Sequence, residues 1–448
     1  MVYLRQTWSK SRLYRAAVIA AAVYALLRLA VQGVLLVGMW FMAPPGEKPM
    51  VPVDLQLYID AASRLHLRED LYPVWDRIEI YQYSPAFALA FTPFLWLPSH
   101  FWIAIAHTLL HIVAYGLLYL WWERIFRSLG LEKARGILAW LLPLWLMFSE
   151  FWSDLGFLNI YIIVALLATL LIEAVLHERL GWALVWLSVI LQIKPHWAFA
   201  AAIPLLLGRW RFFLKLASLA IIAYFAIVGV TALIVGPTYG LQQYTRYFQL
   251  LAAMRRYFPW RGPDAPFLGY NHSITQVVVY LLGVSPETLR LATGIKILLL
   301  LPLAVAGVRH LFRPARLAGH AVPQLALDWA FALYLGAFIW LDMVWELSLG
   351  ILVFTYLLAT LRRRVTKILI WVVFLPYALL DLWRLASIAI LGPGIVLPGM
   401  YILTDPTIYV PLIMAIILTF YVLLLIRILV SQTGNSTTIG LATQPAES

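Results

Sequence analysis

The chain has 448 residues, 63% of them hydrophobic and only 12% charged, whereas an ordinary soluble domain carries about a quarter charged residues. That excludes a water-soluble enzyme, and runs such as 212–236 and 407–426, nearly free of charge, are long enough to cross a hydrocarbon core of roughly 30 Å. The net charge of +12 lies mostly in short loops beside helix ends and reads as positive-inside topology, with no nucleic-acid partner expected.

The apolar runs are apolar all round, so a transmembrane β-barrel, whose strands alternate, is excluded and the expected fold is an all-α polytopic membrane protein. The absence of cysteine removes disulfides, thiol catalysis and thiolate metal sites together. Arg5, Lys10, Arg12 and Arg15 precede an apolar run over 16–42 that is too long for a signal peptide, which predicts an uncleaved first helix with a cytoplasmic N-terminus. Residues 43–83 carry Glu47, Asp54, Asp60, Glu69, Asp70, Asp76 and Glu79 and are expected to form a large first external loop. Within it Leu55, Leu57, Ile59, Ala62 and Leu65 predict a short helix lying at the membrane surface.

Further segments near 84–98, 100–122, 135–152, 155–176, 181–207, 212–236, 273–283, 288–311, 324–341, 343–361, 367–391 and 407–430 bring the expected total to about eleven to thirteen transmembrane helices. Loops 123–135, 208–215, 309–316 and 362–367 carry the positive excess and should face the cytoplasm. Satisfying all four requires 84–98 to be a short dip from the outer side and 181–207 to break at Lys194-Pro195; the alternative, with both crossing fully, leaves four positive charges outside. A second external loop, 237–272, is unusually basic, with Arg246, Arg255, Arg256 and Arg261 against Asp264. Residues 1–430 thus form one integral membrane domain, and 431–448, rich in Ser, Thr, Gly and Gln, are expected to be a disordered cytoplasmic tail. No solenoid repeat and no Gly-rich nucleotide loop is present, which argues against nucleotide-driven transport by this chain alone.

Ionisable side chains in such a chain ask for a partner or a task. Asp54 and Asp60 are six residues apart and fall on different faces of the expected surface helix, so they do not form a carboxylate pair. One alone can take a proton from an incoming hydroxyl as general base, set against the plainer reading of a helix cap or solvated charge. Lys194, beside Pro195 and His196, is a cation within the apolar zone and needs an anion: a phosphate of a lipid-linked substrate, or an internal partner such as Asp154, Asp342 or Glu346. Arg255-Arg256 with Tyr257, Trp260 and Arg261 suits an anionic head group or diphosphate, or simple contact with anionic lipid. His107 and His111 share a helical face but lack the accompanying Glu of a metalloprotease helix, and no metal or other cofactor is expected. Asp381 and Arg384 read as a structural ion pair, and Glu173, Lys296 and Asp328 as snorkelling residues near helix ends.

The pattern Val53-Asp54-Leu55-Gln56-Leu57-Tyr58-Ile59-Asp60-Ala61-Ala62, then Leu71-Tyr72-Pro73, then Tyr81-Gln82-Tyr83-Ser84-Pro85, resembles the opening of glycosyltransferase family 87, which has the GT-C architecture. The resemblance continues in Gly156-Phe157-Leu158-Asn159, Lys194-Pro195-His196 and Asn271-His272-Ser273. It implies transfer of a sugar, often mannose, from a polyprenyl-phosphate donor to a lipid or glycan acceptor at the outer face of the membrane, with inversion; the absence of cysteine and of eukaryotic targeting motifs makes a bacterial inner membrane the default expectation. It carries the role of general base onto Asp54. Lys194, His196, Arg255 and Arg256 are then expected to hold the donor phosphate. Tyr58, Asp60, Tyr83, Asn159, Asn271, Ser273, Trp345 and Glu346 are the expected sugar and acceptor contacts. Two departures stand out: Phe157 replaces a Gln, and the late Trp-x-His motif appears as Trp345-Glu346-Leu347. Two other readings compete: a flippase of lipid-linked sugar using the broken 181–207 segment, and a polysaccharide polymerase or ligase using diphosphate-linked donors.

Overall fold

The computed structural model describes residues 2–41, 51–74, 80–265, 268–269, 271–312, 321–345, 347–391 and 411–432, and among these every regular element is a helix. In chain order these are α1 (Val2–Lys10), α2 (Arg12–Phe41), α3 (Val53–Leu67), α4 (Pro85–Phe91), α5 (His100–Ser128), α6 (Glu132–Trp140), α7 (Leu142–Leu146), α8 (Ser149–Phe157), α9 (Tyr161–Leu176), α10 (Leu180–Ile193) and α11 (Ile203–Leu206). Then follow α12 (Trp210–Val235), α13 (Pro237–Tyr257), α14 (Ile274–Leu282), α15 (Pro286–Phe312), α16 (Ala321–Trp340), α17 (Gly350–Thr360), α18 (Arg364–Ala378), α19 (Leu380–Leu391) and α20 (Leu412–Gln432). Short 3₁₀ stretches, Thr92–Trp96 and Pro195–Ala202, extend α4 and bridge α10 to α11.

Among the described residues five helices (α2, α5, α12, α15 and α20) are long and apolar enough to cross a membrane, or seven spans if the bent pairs over 132–157 and 364–387 each count as one. The other expected segments correspond in part to shorter apolar helices of 10–17 residues, including Pro85–Trp96, Leu180–Ile193 and Gly350–Thr360. The chain is an all-α polytopic membrane protein. α16, α17 and α20 form the buried centre, with Trp329, Tyr334, Phe354 and Phe420 shielded completely. Lipid solvates the outer helices, so α12 and α15 leave Ile222, Phe225, Leu298 and Val305 exposed.

The helix expected in the first polar stretch is α3. It buries Leu55, Ile59, Ala62 and Leu65 against α4, α8 and the Thr92–Trp96 turn, so its apolar face is covered by protein. Residues 42–50 and 75–79 of that stretch, and 433–448 of the tail, lie outside the described residues. Ser84 caps α4, its hydroxyl accepting the Phe87 N–H at 3.3 Å with Pro85 in the first turn. The break at Lys194-Pro195 falls where proline dictates: α10 ends at Ile193 and Lys194 leaves helical geometry. The basic stretch from 237, read in sequence as a loop, is largely the 21-residue helix α13. Gly236, at φ +105, turns the chain from α12 into α13, and Pro237 starts the new helix.

Four charge assignments change. Glu173, read as snorkelling, is buried, accepts from the Trp121 indole N–H at 2.8 Å and meets Arg124 at 3.1 Å. Asp381 pairs with Arg28 of α2 at 2.6 Å and accepts from Tyr24, instead of pairing with Arg384. Lys296 and Asp328 are buried rather than snorkelling: Lys296 meets Asp342 at 2.6 Å, and Asp328 meets Arg427 at 3.1 Å and the Tyr356 hydroxyl at 2.8 Å. An intramembrane charge finds a partner across the bundle when its stem cannot reach water.

Candidate active site

α3 presents Asp54 at its first turn and Tyr58 one turn later, on the side facing α8 and the loop that follows it. That loop exists because Leu158 adopts a left-handed conformation and ends α8, which places Asn159 before α9. The Asn159 amide donates to Asp54 Oδ2 at 3.0 Å, and its carbonyl oxygen accepts from Tyr58 at 3.0 Å and from the Ile160 N–H at 2.7 Å. The Tyr58 and Tyr83 hydroxyls lie 3.1 Å apart. Burial above all, with Tyr83 and Asp54 nearby, pushes the Tyr58 phenol well above its ordinary value and keeps it a donor.

Beyond Tyr83 lies a cavity of about 280 Å³. Its walls come from the broken helix (Ile193 to His196), from α13 and its end (Tyr247, Arg255, Trp260) and from the strip Phe338 to Trp345. The Lys194 ammonium sits 3.3 Å from the ring centre of Tyr161 and 5.6 Å from that of Tyr83, so aromatic faces support the cation from this side. Arg255 lies 3.5 Å from Asp342, which also binds Lys296. Of the internal anions considered for Lys194, Asp154 pairs with His111 at 3.2 Å and Asp342 with Lys296 and Arg255, while Glu346 lies outside the described residues. Three buried polar atoms on the cavity wall, the Tyr247 hydroxyl, the Arg255 Nε and the Trp345 indole N–H, have no hydrogen-bond partner among the described residues.

The strip carrying Asp342 and Trp345 is irregular backbone that side chains from five helices and one loop hold in place. Lys296 donates to the carbonyls of Trp340 and Leu341, both at 3.0 Å. Thr275 donates to the Asp342 carboxylate at 2.6 Å. Asn271 donates to the Asp342 carbonyl at 2.8 Å and accepts the Val344 N–H at 3.1 Å. Further on, Glu150 accepts from the Leu347 N–H, Ser348 and Tyr377, and Tyr334 accepts the Leu349 N–H. Buried backbone groups outside helices require such partners, and each one removed leaves a costly orphan.

The structure therefore gathers the expected site residues into two adjoining groups. Asp54, Tyr58, Tyr83 and Asn159 form one; Lys194, His196, Arg255 and Trp345, with Tyr83 again, line the cavity. The others stand apart. Asp60 accepts from Gln56 at 2.7 Å within α3, and Arg256 points outward beside the Tyr257 ring. Asn271 braces the 342–344 strip, and Ser273 caps α14 by accepting the Gln276 N–H at 3.1 Å. Glu346 is outside the described residues. The His107 and His111 rings lie 4.7 Å apart at a tilt of 41°, with His111 bound to Asp154, whose carboxylate accepts the Ile162 N–H at 2.9 Å and starts α9. Among the described residues no group of three or more His, Asp or Glu side chains is arranged to hold a metal ion. Sequence reasoning missed Tyr161, Tyr247 and the Lys296–Asp342 pair; a lysine amid the apolar run of α15 was the available signal for the last.

No curated protein matches the chain. The sequence profile of glycosyltransferase family 87 matches residues 81–334, more than half of the chain, including Tyr83, Asn159, Lys194, Arg255 and Asn271 and beginning after Asp54. With its membrane helices and this match, the chain belongs to glycosyltransferase family 87 and is a membrane glycosyltransferase.

Proposed function

We propose that the protein transfers a hexose, with mannose the first to test, from a polyprenyl-phosphate donor to a lipid or glycan acceptor at the outer face of a bacterial inner membrane, inverting the anomeric centre. The observation that carries this reading is the arrangement about Tyr83: its hydroxyl contacts Tyr58 and Asn159, whose amide binds the Asp54 carboxylate, and its ring lies against Lys194 in a cavity that Arg255 also lines. An inverting transfer needs both. The acceptor oxygen attacks the anomeric carbon and its proton passes to Asp54. The bond from that carbon to the phosphate oxygen breaks, the electron pair leaves with the polyprenyl phosphate, and Lys194 and Arg255 face the added negative charge. Tyr247 and Trp345 offer donors to the phosphate or sugar from the cavity wall. The N-terminus is cytoplasmic in this reading, and the sugar donor and membrane lipids are the partners.

The test is incubation of the purified protein in lipid with a panel of labelled polyprenyl-phosphate sugars, polyprenyl-diphosphate sugars and acceptor extract. Consumption of one monophosphate donor is expected. Use of diphosphate donors alone would turn the reading into a polymerase or ligase, and movement of labelled lipid across the bilayer without transfer would turn it into a flippase.

A further inference from the structure

The Asn159 amide has one orientation open to it. The Ile160 N–H, 2.7 Å away, can only donate, so the atom facing it is the carbonyl oxygen Oδ1. The same oxygen accepts the Tyr58 hydroxyl at 3.0 Å. With the Tyr58 proton given to this oxygen, the Tyr83 hydroxyl, 3.1 Å from Tyr58 and 3.5 Å from the same Oδ1, is left to donate to one of the two. The amide nitrogen is thereby turned to Asp54, whose carboxylate accepts it at 3.0 Å. The backbone is fixed as well: the Asn159 N–H donates to the Asp154 carbonyl at 3.1 Å, and the Asp154 carboxylate holds the first amides of α9. Asn159 is 4% exposed, so a sugar hydroxyl reaching it would have to displace one of these bonds.

We propose that Asn159 is a positioning residue: its amide N–H pins one carboxylate oxygen of Asp54 and so directs the other toward the acceptor hydroxyl. This rests on Asp54 being the base. Among the described residues, the titratable groups around the pair include Tyr58 and Asp60 on α3, Tyr83 with Lys194 beyond its ring, and, beneath Asn159, Asp154 with His111 and His107.

Asn159→Asp keeps the oxygen that Ile160 and Tyr58 require and replaces the donor with a second carboxylate at hydrogen-bond distance from Asp54. Two such carboxylates share a proton, so the acid limb of the kcat pH profile is expected to move up by about a pH unit or more, with the donor KM unchanged. Tyr58→Phe keeps the ring and removes one donor that locks the amide; kcat should fall severalfold, again without a change in KM. Infrared titration of the carboxylate band that disappears in Asp54→Asn reads the same contact without turnover, and in Asn159→Asp it should titrate at higher pH. A band and a pH profile that stay where the wild type has them, with only thermal stability lowered, overturn the proposal and leave Asn159 a structural residue. A shifted band in a protein that transfers no sugar from any donor supports the contact and removes the transferase reading instead.

Discussion

Tyr83 is the side chain on which the two halves of the site meet, with its hydroxyl beside Tyr58 and its ring under Lys194. Tyr247 stands across the cavity with a buried, unpartnered hydroxyl among the described residues. A hydrogen bond to a charged group contributes about 1.5–3 kcal/mol. Tyr247→Phe is therefore expected to weaken donor binding about tenfold or more at unchanged thermal stability, read by titration with a labelled donor; unchanged affinity would place the donor elsewhere. Away from the site, Arg28→Met strands the buried Asp381 carboxylate, and loss of one partner of a buried pair costs about 3–5 kcal/mol, visible as a lower unfolding midpoint in detergent. Residue chemistry was partly legible: a carboxylate beside the membrane, a lysine next to a proline and one of two adjacent arginines fall in the candidate site, while Arg256 points outward. Partner choice was not. Asp381 bonds across 353 positions to Arg28, and local spacing suggested only Arg384.

Helix breaks decide which side chains converge. Pro195 ends α10 so that Lys194 and His196 face the cavity, and the left-handed Leu158 ends α8 so that Asn159 reaches Asp54. The first break was legible because proline announces it; the second was not, because a left-handed leucine carries no sequence signal. α13 went unread as a helix because Gln242, Gln243, Thr245 and Arg246 interrupt its apolar pattern. It is held against α12 by a close approach at Gly240, where a Cβ would stand 2.6 Å from the Ala232 Cα. Gly240→Ala should force the two helices apart, lowering stability by about 1–3 kcal/mol and weakening donor binding through displaced Tyr247 and Arg255; wild-type melting and affinity would show that α13 is free to shift.

At the scale of the molecule, the fold class followed from composition, since only helices satisfy the backbone in lipid when the apolar runs do not alternate. The number of long spans did not, because hydropathy marks short interior helices such as α9 and α17 as strongly as lipid-facing ones, and only packing tells them apart. The proposed orientation rests on the distribution of Lys and Arg. The chain has no cysteine, so single substitutions report sidedness cleanly. A membrane-impermeant thiol reagent is expected to label Arg256→Cys from outside intact spheroplasts and Arg363→Cys only after lysis; the opposite pattern would invert the topology and put the site on the cytoplasmic face.

The most direct measurement is single-turnover transfer from the labelled donor by wild type and Asp54→Asn, with donor binding measured on the same samples. General-base catalysis is worth about 10²–10⁴-fold, so the substitution should slow transfer by that factor while the donor binds as before. Transfer at the wild-type rate would contradict Asp54 as the base and leave the carboxylate that Asn159 binds without a chemical role.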